Sequence, residues 1–387
     1  MLNVKQRDLY LETEQQREWV EKLEGLAPAF REQAIVSDRD SSFSLSSYRK
    51  LQEIGYTSIT LPVKYGGEGM SPADYLYVQE HLAMIDENLA LTVGWTLGIV
   101  GEVFNDELWE KPALTDFGAK VAAGATVNRA LSEIAMGSPT RGGRPTTTAI
   151  LRDEHWVING RKSYTTGSYG LDYFLVMAWI EEEQLSAFFL VHKDTPGVSI
   201  VENWDVFAMN ATASHDLLLE EVTVPVSKLV EYVKVARGKK VNAWGLHTSA
   251  TYVGIAHAAR NYAVEFAKIH QPNSINEPIA SLPNVQQLIG EMDLLLIQSR
   301  HLLYTVAKIA YDPDKRALLT NELAIVKYTV TNNAQQIVDK AMRVVGAKSL
   351  QTSNLLQRYY RNVRAGLHNP PMDDMTIHNL AQTALKE

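Results

Sequence analysis

Apolar residues along this chain follow two different rhythms. At both ends they recur at steps of three and four over long stretches, the spacing of one helix face. In the middle they come in short β-branched and aromatic runs broken by turn residues. Residues 1 to about 127 read as helical. In SPADYLYVQEHLAMID, 71–86, Ser71 is placed to cap, Pro72 suits the first turn, and Asp74 follows three residues after the cap. LALTVGWTLGIVGEVF is 16 residues long and carries Glu102. It is short for a membrane span and reads as a buried helix.

From about 128 to 232 the runs TTTAIL, HWVINGRKSY, YFLVMAWI, SAFFLVH, GVSIV and DLLLEEVTV read as strands of a compact barrel or sandwich. Asn159-Gly160 is the strongest hairpin signal among them. From about 239 to 387 the pattern is helical again. Val285, Leu288, Met292, Leu295, Ser299, Leu302, Val306 and Ile309 form one stripe along a long helix. A second long helix ends at Gly346, a candidate residue for the left-handed stop. SNLLQRYYRNVRAG gives a shorter helix, with Ser353 expected to cap and Gly366 to stop it. The expected architecture is a helical N-terminal domain (1–127), a central β-domain (128–232) and a C-terminal four-helix bundle (239–387).

Composition adds exclusions. Of 387 residues, 45% are hydrophobic and 21% charged, with a net charge of −8, so nothing marks a nucleic-acid surface. There is no cysteine, which excludes disulfides, thiolate catalysis and cysteine-bound zinc or iron–sulfur clusters. The ten histidines have no metal-ligand spacing, and no metal site is expected. The N-terminus, MLNVKQRDLYLETEQQREWVEK, is neither signal peptide nor transit peptide, and a cytoplasmic location is the expectation. No G-x-G-x-x-G follows a strand, and P-loop, HExxH and G-x-S-x-G motifs are missing. Ser214, His215 and Asp216 have the residue types of a hydrolase relay, but neighbours on a strand point to opposite faces. Arg358, Arg361 and Arg364 share a helix face, whose default reading is a solvated or ion-paired face, with an anion site as the alternative.

Four segments in order carry a family resemblance. ALSEIAMGSP (130–139), HWVINGRKSYTTG (155–167), NATASHDLLLEEVTVP (210–225) and YGGEGMSP (65–72) resemble segments of the acyl-CoA dehydrogenase superfamily of flavoproteins. The likeness spans essentially the whole chain in the same α–β–α order. It implies one FAD per subunit and a homotetramer. By position, Leu131 and Ser132 would contact the flavin ring, with the Ser132 hydroxyl near N5. Tyr164, Thr165 and Thr166 would supply an aromatic wall and further donors. Ser138 would lie near the acyl-CoA. Arg343 and Gly346 fall where the family reaches a neighbouring subunit's FAD, though Gly346 reads equally well as a helix stop.

The resemblance fails where the family keeps its catalytic base. Family dehydrogenases take the Cα proton with a Glu, and the two positions used for it align with Pro370 and Trp244. Neither accepts a proton. Asp373, Asp374 and Glu133 are the remaining candidates. Asn210 stands for a family Arg, and the R-x-x-F-G segment that contacts the FAD pyrophosphate is missing. LQRYYRNVRAGLHNP resembles instead the two-component flavin monooxygenases of the same superfamily, in which His368 would sit beside the flavin as a hydrogen-bond or proton donor. The leading expectation is oxidation of the Cα–Cβ bond of an acyl-CoA, with electron-transfer flavoprotein as partner. The alternative is a monooxygenase fed by a flavin reductase, and a third is a catalytically silent flavin-binding homologue.

Overall fold

In the computed structural model, residues 8–134, 143–233 and 242–386 are described. Five helices come first: α1 (Glu14–Asp40), α2 (Leu45–Glu53), α3 (Pro72–Ile85), α4 (Glu87–Asn105) and α5 (Lys111–Ala122). The Ser71 cap forms as expected, its hydroxyl accepting from the Asp74 N–H, with Pro72 in the first turn. The apolar run 89–104 lies in α4 and is almost wholly buried. No helix of the described residues is long and apolar enough to cross a membrane.

The middle of the chain forms β1 (Val127–Ala130), β2 (Thr148–Arg152), β3 (His155–Lys162), β4 (Tyr173–Ile180), β5 (Leu185–His192), β6 (Val198–Val201), β7 (Asp216–Pro225) and β8 (Leu229–Tyr232). They make one sheet in the order β6-β7-β3-β2-β4-β5-β8, with β1 parallel to β4. Strand β4 reads as continuously apolar because both of its faces are covered. Phe174, Val176, Ala178 and Ile180 enter a core within the sheet domain, while Leu175 and Met177 pack with Val103, Phe104 and Phe117 of α4 and α5.

Asn159-Gly160 is not a hairpin. Both residues lie inside β3, where the register against β7 shifts between Ile158 and Gly160. The glycine serves a β-bulge, at φ 155, and a Cβ there would lie 2.4 Å from the Thr147 hydroxyl. The real β2–β3 turn is Asp153-Glu154, both at positive φ (44 and 62), as a two-residue mirror-image turn demands.

The C-terminal helices are α6 (His247–Ile269), α7 (Pro283–Tyr311), α8 (Pro313–Arg316), α9 (Glu322–Val345), α10 (Leu355–Val363) and α11 (Asp373–Ala384). The first helices and the bundle share one core, with Tyr75 and Leu82 of α3 in the same cluster as Tyr252, Met292, Leu303 and Ile337. Gly254 lets α6 press onto α3, since a Cβ there would meet Ala83 Cβ and Glu80 O at 2.5 Å. The α7 stripe is rotated from the expected one. Val285, Met292, Ser299 and Val306 are buried as expected, but Leu296 and Leu303 are buried where Leu295 and Leu302 are only half-buried. Steps of three and four drift around a straight helix, so adjacent leucines exchange places at the interface. Helix α10 is capped by Asn354 rather than Ser353, its side chain accepting from the Leu356 N–H, and Gly366 lies in a further 3-10 turn, Arg364–His368.

Candidate active site

The ends of β1 and β3 meet at one corner of the sheet. The Ser163 N–H donates to Ser132 O at 2.8 Å, which holds the segment after β1 against the segment after β3. Next along the chain, the Thr165 N–H donates to His215 O at 3.0 Å and the Gly167 N–H to Thr212 O at 2.9 Å. Asn128 Nδ2 donates to Thr166 O at 3.0 Å. Thr166 Oγ1 and Ser214 Oγ share a hydrogen bond at 2.9 Å. Leu131, Ser132, Tyr164, Thr165 and Thr166 are thereby gathered into one corner.

Its chemistry is unusual for a loop. Tyr164 has φ 57, a left-handed conformation uncommon for an aromatic residue, and its ring is 66% exposed. Met209 (φ 52) and Ala213 (φ 44) carry the same strain nearby in the chain segment that backs it. Two hydroxyls, Ser163 Oγ and Thr165 Oγ1, are buried with no hydrogen-bond partner among the described residues. An exposed aromatic ring beside uncommitted hydroxyls and fixed backbone fits a flat heteroaromatic group with hydrogen-bonding edges.

Beneath this corner lies a buried ion pair. Lys162 Nζ donates to Glu133 Oε1 at 2.6 Å, with both side chains almost fully enclosed. Glu133 also accepts the Thr146 and Thr147 N–H groups at 2.7 and 3.1 Å, and the Thr146 hydroxyl. Burial alone would raise its pKa. The hydrogen bonds from Lys162 and Thr146, with the lysine charge, outweigh that and hold it at about 2. Glu133 is therefore a structural anion, not a base.

A second polar centre ties helices to sheet. Arg358 Nε and Nη2 donate to the two oxygens of Glu87 at 2.9 and 3.1 Å, both side chains buried. Asn362 Nδ2 also donates to Glu87, at 2.7 Å, while its Oδ1 accepts the Met209 N–H at 2.7 Å. Asn210 Nδ2 donates to Asp38 O and Ser41 Oγ at 2.8 and 2.9 Å. Asn362 thus ties Glu87 to the Met209 backbone, and Asn210 ties the same loop to the end of α1. Arg361 pairs with Asp38 at 2.6 Å, and Arg364 donates to Gln335. The ion-paired reading holds for Arg358 and Arg361, whereas Arg364 meets a neutral amide.

The expected base positions are closed to that role. Trp244 is buried in a groove that Gly101 opens, where a Cβ would lie 2.1 Å from Trp244 Cε3. Tyr75 stacks on its ring at 5.6 Å and donates its hydroxyl to the Trp244 carbonyl. Pro370 is exposed. Asp373 accepts from Lys327 at 3.3 Å and from Asn332 at 2.8 Å. Asp374 has interactions of its own. His368 ends the 3-10 turn, exposed, with no hydrogen bond or ion pair among the described residues, while Asn369 beside it accepts from the Tyr252 hydroxyl at 2.6 Å.

Arg343 and Gly346, expected to serve a neighbouring subunit's flavin, lie at the end of α9. Arg343 is exposed near the end of α9 and paired with Asp339 at 2.9 Å, lining a cleft of about 470 Å³ with Glu291 and Lys340. Gly346 stops α9, but at φ 70 and ψ −154, a glycine-favouring conformation outside the left-handed helical region expected of the stop. Ser138 lies outside the described residues.

Three family models match consecutive parts of the chain: the acyl-CoA dehydrogenase N-terminal domain over residues 13–106, the middle domain over 128–222 and the C-terminal domain over 239–367. The chain belongs to the acyl-CoA dehydrogenase family. It is 50% identical over 378 residues, 98% of its length and 99% of the relative's, to a putative acyl-CoA dehydrogenase, YdbM, of Bacillus subtilis strain 168. The fold is shared with KijD3 solved with FMN and a dTDP-amino-keto sugar (TM-score 0.83, 21% identity, 97% and 94% coverage). It is shared equally with a glutaryl-CoA dehydrogenase of Mycobacterium smegmatis solved with FADH2 (TM-score 0.84, 16% identity, 97% and 96% coverage).

Acyl-CoA dehydrogenase family members bind FAD, and this chain is an oxidoreductase of that family. The corner at Leu131–Ser132 and Tyr164–Thr166 has the residue types to hold a flavin ring. Sequence reasoning quoted Glu133 and Lys162 inside its motifs but gave Lys162 no role. The available signal was slight: both residues lie inside the quoted motifs, 29 residues apart, and both are of types seldom buried unless paired. The Glu87–Arg358 pair had no such signal, because its partners lie 271 residues apart.

Proposed function

We propose that the chain transfers oxygen to a small organic substrate, using reduced flavin delivered by a separate reductase. One oxygen atom of O₂ ends on the substrate and the other leaves as water, with the two electrons coming from the reduced flavin. The flavin, when bound, supplies that two-electron chemistry. The residues of the chain do the rest. Leu131, Ser132 and Tyr164–Thr166 orient the ring and offer hydrogen-bond donors to its edge. His368 presents an imidazole that holds or delivers a proton. Arg343 and Gly346, at the end of α9, serve the flavin of a neighbouring copy in a homotetramer. Ser138 contacts the substrate.

The observation that carries this reading is the fate of the carboxylates. Removing a Cα proton needs an uncommitted carboxylate at the flavin face. Glu133 is locked by Lys162 and two backbone N–H groups, Asp373 by Lys327 and Asn332, and the two family positions are Pro370 and Trp244. The segments 135–142 and 234–241 contain no Asp or Glu at all. The test is flavin binding by redox state: an oxygen-transferring member binds reduced flavin more tightly than oxidised flavin and consumes oxygen only with a reductase present. Equal binding of both states would count against it.

A second reading is acyl-CoA dehydrogenation with electron-transfer flavoprotein as acceptor. The name of the 50% identical relative favours it. It requires Asp373 to leave Lys327, or Asp374 to leave its present contacts, when substrate binds.

A further inference from the structure

His215 cannot join Ser214 and Asp216 in a hydrolase relay, yet it is anchored on both sides beside the corner at Tyr164–Thr166. Its Nδ1 accepts two backbone N–H groups, those of Asn203 and Trp204, each at 3.0 Å. A nitrogen that accepts two donors carries no proton, so the proton resides on Nε2 and the ring is neutral. The backbone of the same residue accepts the Thr165 N–H at 3.0 Å, and its neighbour Ser214 bonds Thr166 Oγ1. On the other side, the Trp204 indole donates to Met209 O at 3.1 Å and stands edge-on to the Tyr164 ring at 6.1 Å. The ring of Tyr169 packs on His215 at 5.0 Å. One residue therefore touches both the donor segment and the loop that props the exposed Tyr164.

We propose that His215 is a positioning residue for the flavin wall: its Nδ1 fixes the Asn203–Trp204 backbone and so sets Trp204 against Tyr164. The proposal rests on reading Tyr164–Thr166 as that wall. Protonation of Nδ1 would remove the acceptor and turn two hydrogen bonds into repulsions. Burial lowers the pKa of His215 from its ordinary value, while the nearby charges of Glu202 and Asp216 pull it back up. Asp216 is itself held by Arg161 at 2.7 Å, and Tyr169 is the other titratable group packed on the ring. The anchor is intact when the imidazole is neutral and is lost as pH falls through its lowered value.

Two substitutions separate the cases. In His215→Asn the side-chain oxygen sits where Nδ1 sits, accepts both N–H groups and does not titrate. His215→Leu keeps bulk and loses the acceptor. The readouts, on the full chain, are hydrogen exchange at the Asn203 and Trp204 amides, the FAD dissociation constant, and its pH dependence. His215→Leu is expected to speed exchange at both amides and weaken FAD binding roughly tenfold, the worth of one to two net hydrogen bonds. His215→Asn is expected to keep both near wild type and to abolish the acid-side loss of FAD affinity that the wild type shows. Faster exchange with unchanged FAD affinity in His215→Leu would make His215 a loop anchor only and overturn the proposal. So would unchanged exchange, or an acid-side loss that persists in His215→Asn. If His215→Leu does not fold, the comparison of wild type with His215→Asn across pH still decides. Tyr164→Ala and Thr166→Val test the wall itself: if both leave FAD affinity unchanged, the reading of the wall fails, and the role of His215 fails with it.

Discussion

Lys162 Nζ lies 2.6 Å from Glu133 Oε1 in a pocket that excludes water from both. The pair locks β3 to the segment after β1, and so sets the spacing between Ser132 and Tyr164. Breaking one half leaves the other charge buried alone, which typically costs about 3–5 kcal/mol. Lys162→Met is therefore expected to lower stability by that order and to loosen flavin binding. Denaturant unfolding and flavin titration check it. Lys162→Met with Glu133→Gln should recover much of the stability, because no buried charge then remains.

The same pair predicts an acid response. Glu133 is held at about 2 against an ordinary value of 4.5. A carboxylate with a depressed folded value stabilises the fold fully above 4.5, and that contribution disappears as pH falls towards 2. Glu133→Gln should flatten the stability profile in this window.

His247 acts in a higher window. It is buried, its Nδ1 facing the Trp244 carbonyl at 3.2 Å, and burial pushes its pKa down to about 4 from 6.5. A histidine kept neutral by the fold favours the folded state at neutral pH. That advantage is lost as pH falls from about 6.5 to about 4, a loss on the order of 3 kcal/mol. His247→Gln should remove this slope in a melting-temperature series against pH, whatever it does to stability at neutral pH.

Trp244 and Gly101 form a knob and its slot. Trp244→Ala should cost about 3–5 kcal/mol through the cavity it leaves. Gly101→Ala should destabilise by about 1–3 kcal/mol from the other side, since its Cβ would lie 2.1 Å from the indole. A small effect of Gly101→Ala in thermal unfolding would mean that the indole swings away readily, and that the Trp244 position is open to a ligand.

Turns and site were legible to different degrees, for physical reasons. Ser71 and Pro72 were readable because a helix start is local chemistry. Gly160 misled because hairpin turns and β-bulges ask the same backbone freedom of glycine, and only the partner strand tells them apart. Leu131, Ser132 and Tyr164 were readable as neighbours through the motif resemblance alone; their meeting depends on strand pairing that no local pattern encodes. The commitment of Asp373 to Lys327 and of Glu87 to Arg358 depends on helices that meet only in the folded chain. These long-range pairings decide which carboxylates are left for chemistry.

His368 is exposed, with no hydrogen bond or ion pair among the described residues, so replacing it should leave the fold intact. His368→Ala is expected to keep its melting temperature within about 1 °C, since such surface changes rarely exceed 0.5 kcal/mol. Substrate oxygenation should fall at least about a hundredfold, the scale of a lost proton donor. Asp373→Asn should retain turnover.

The most direct test is an anaerobic titration of the FAD-loaded protein with acyl-CoAs of several chain lengths, followed by the visible absorbance of oxidised flavin. With Glu133 and Asp373 committed to other partners, no acyl-CoA should bleach the flavin, and turnover should appear only when reduced flavin and oxygen are supplied. Bleaching by any acyl-CoA without oxygen would contradict the account and establish that a carboxylate is released to the substrate on binding.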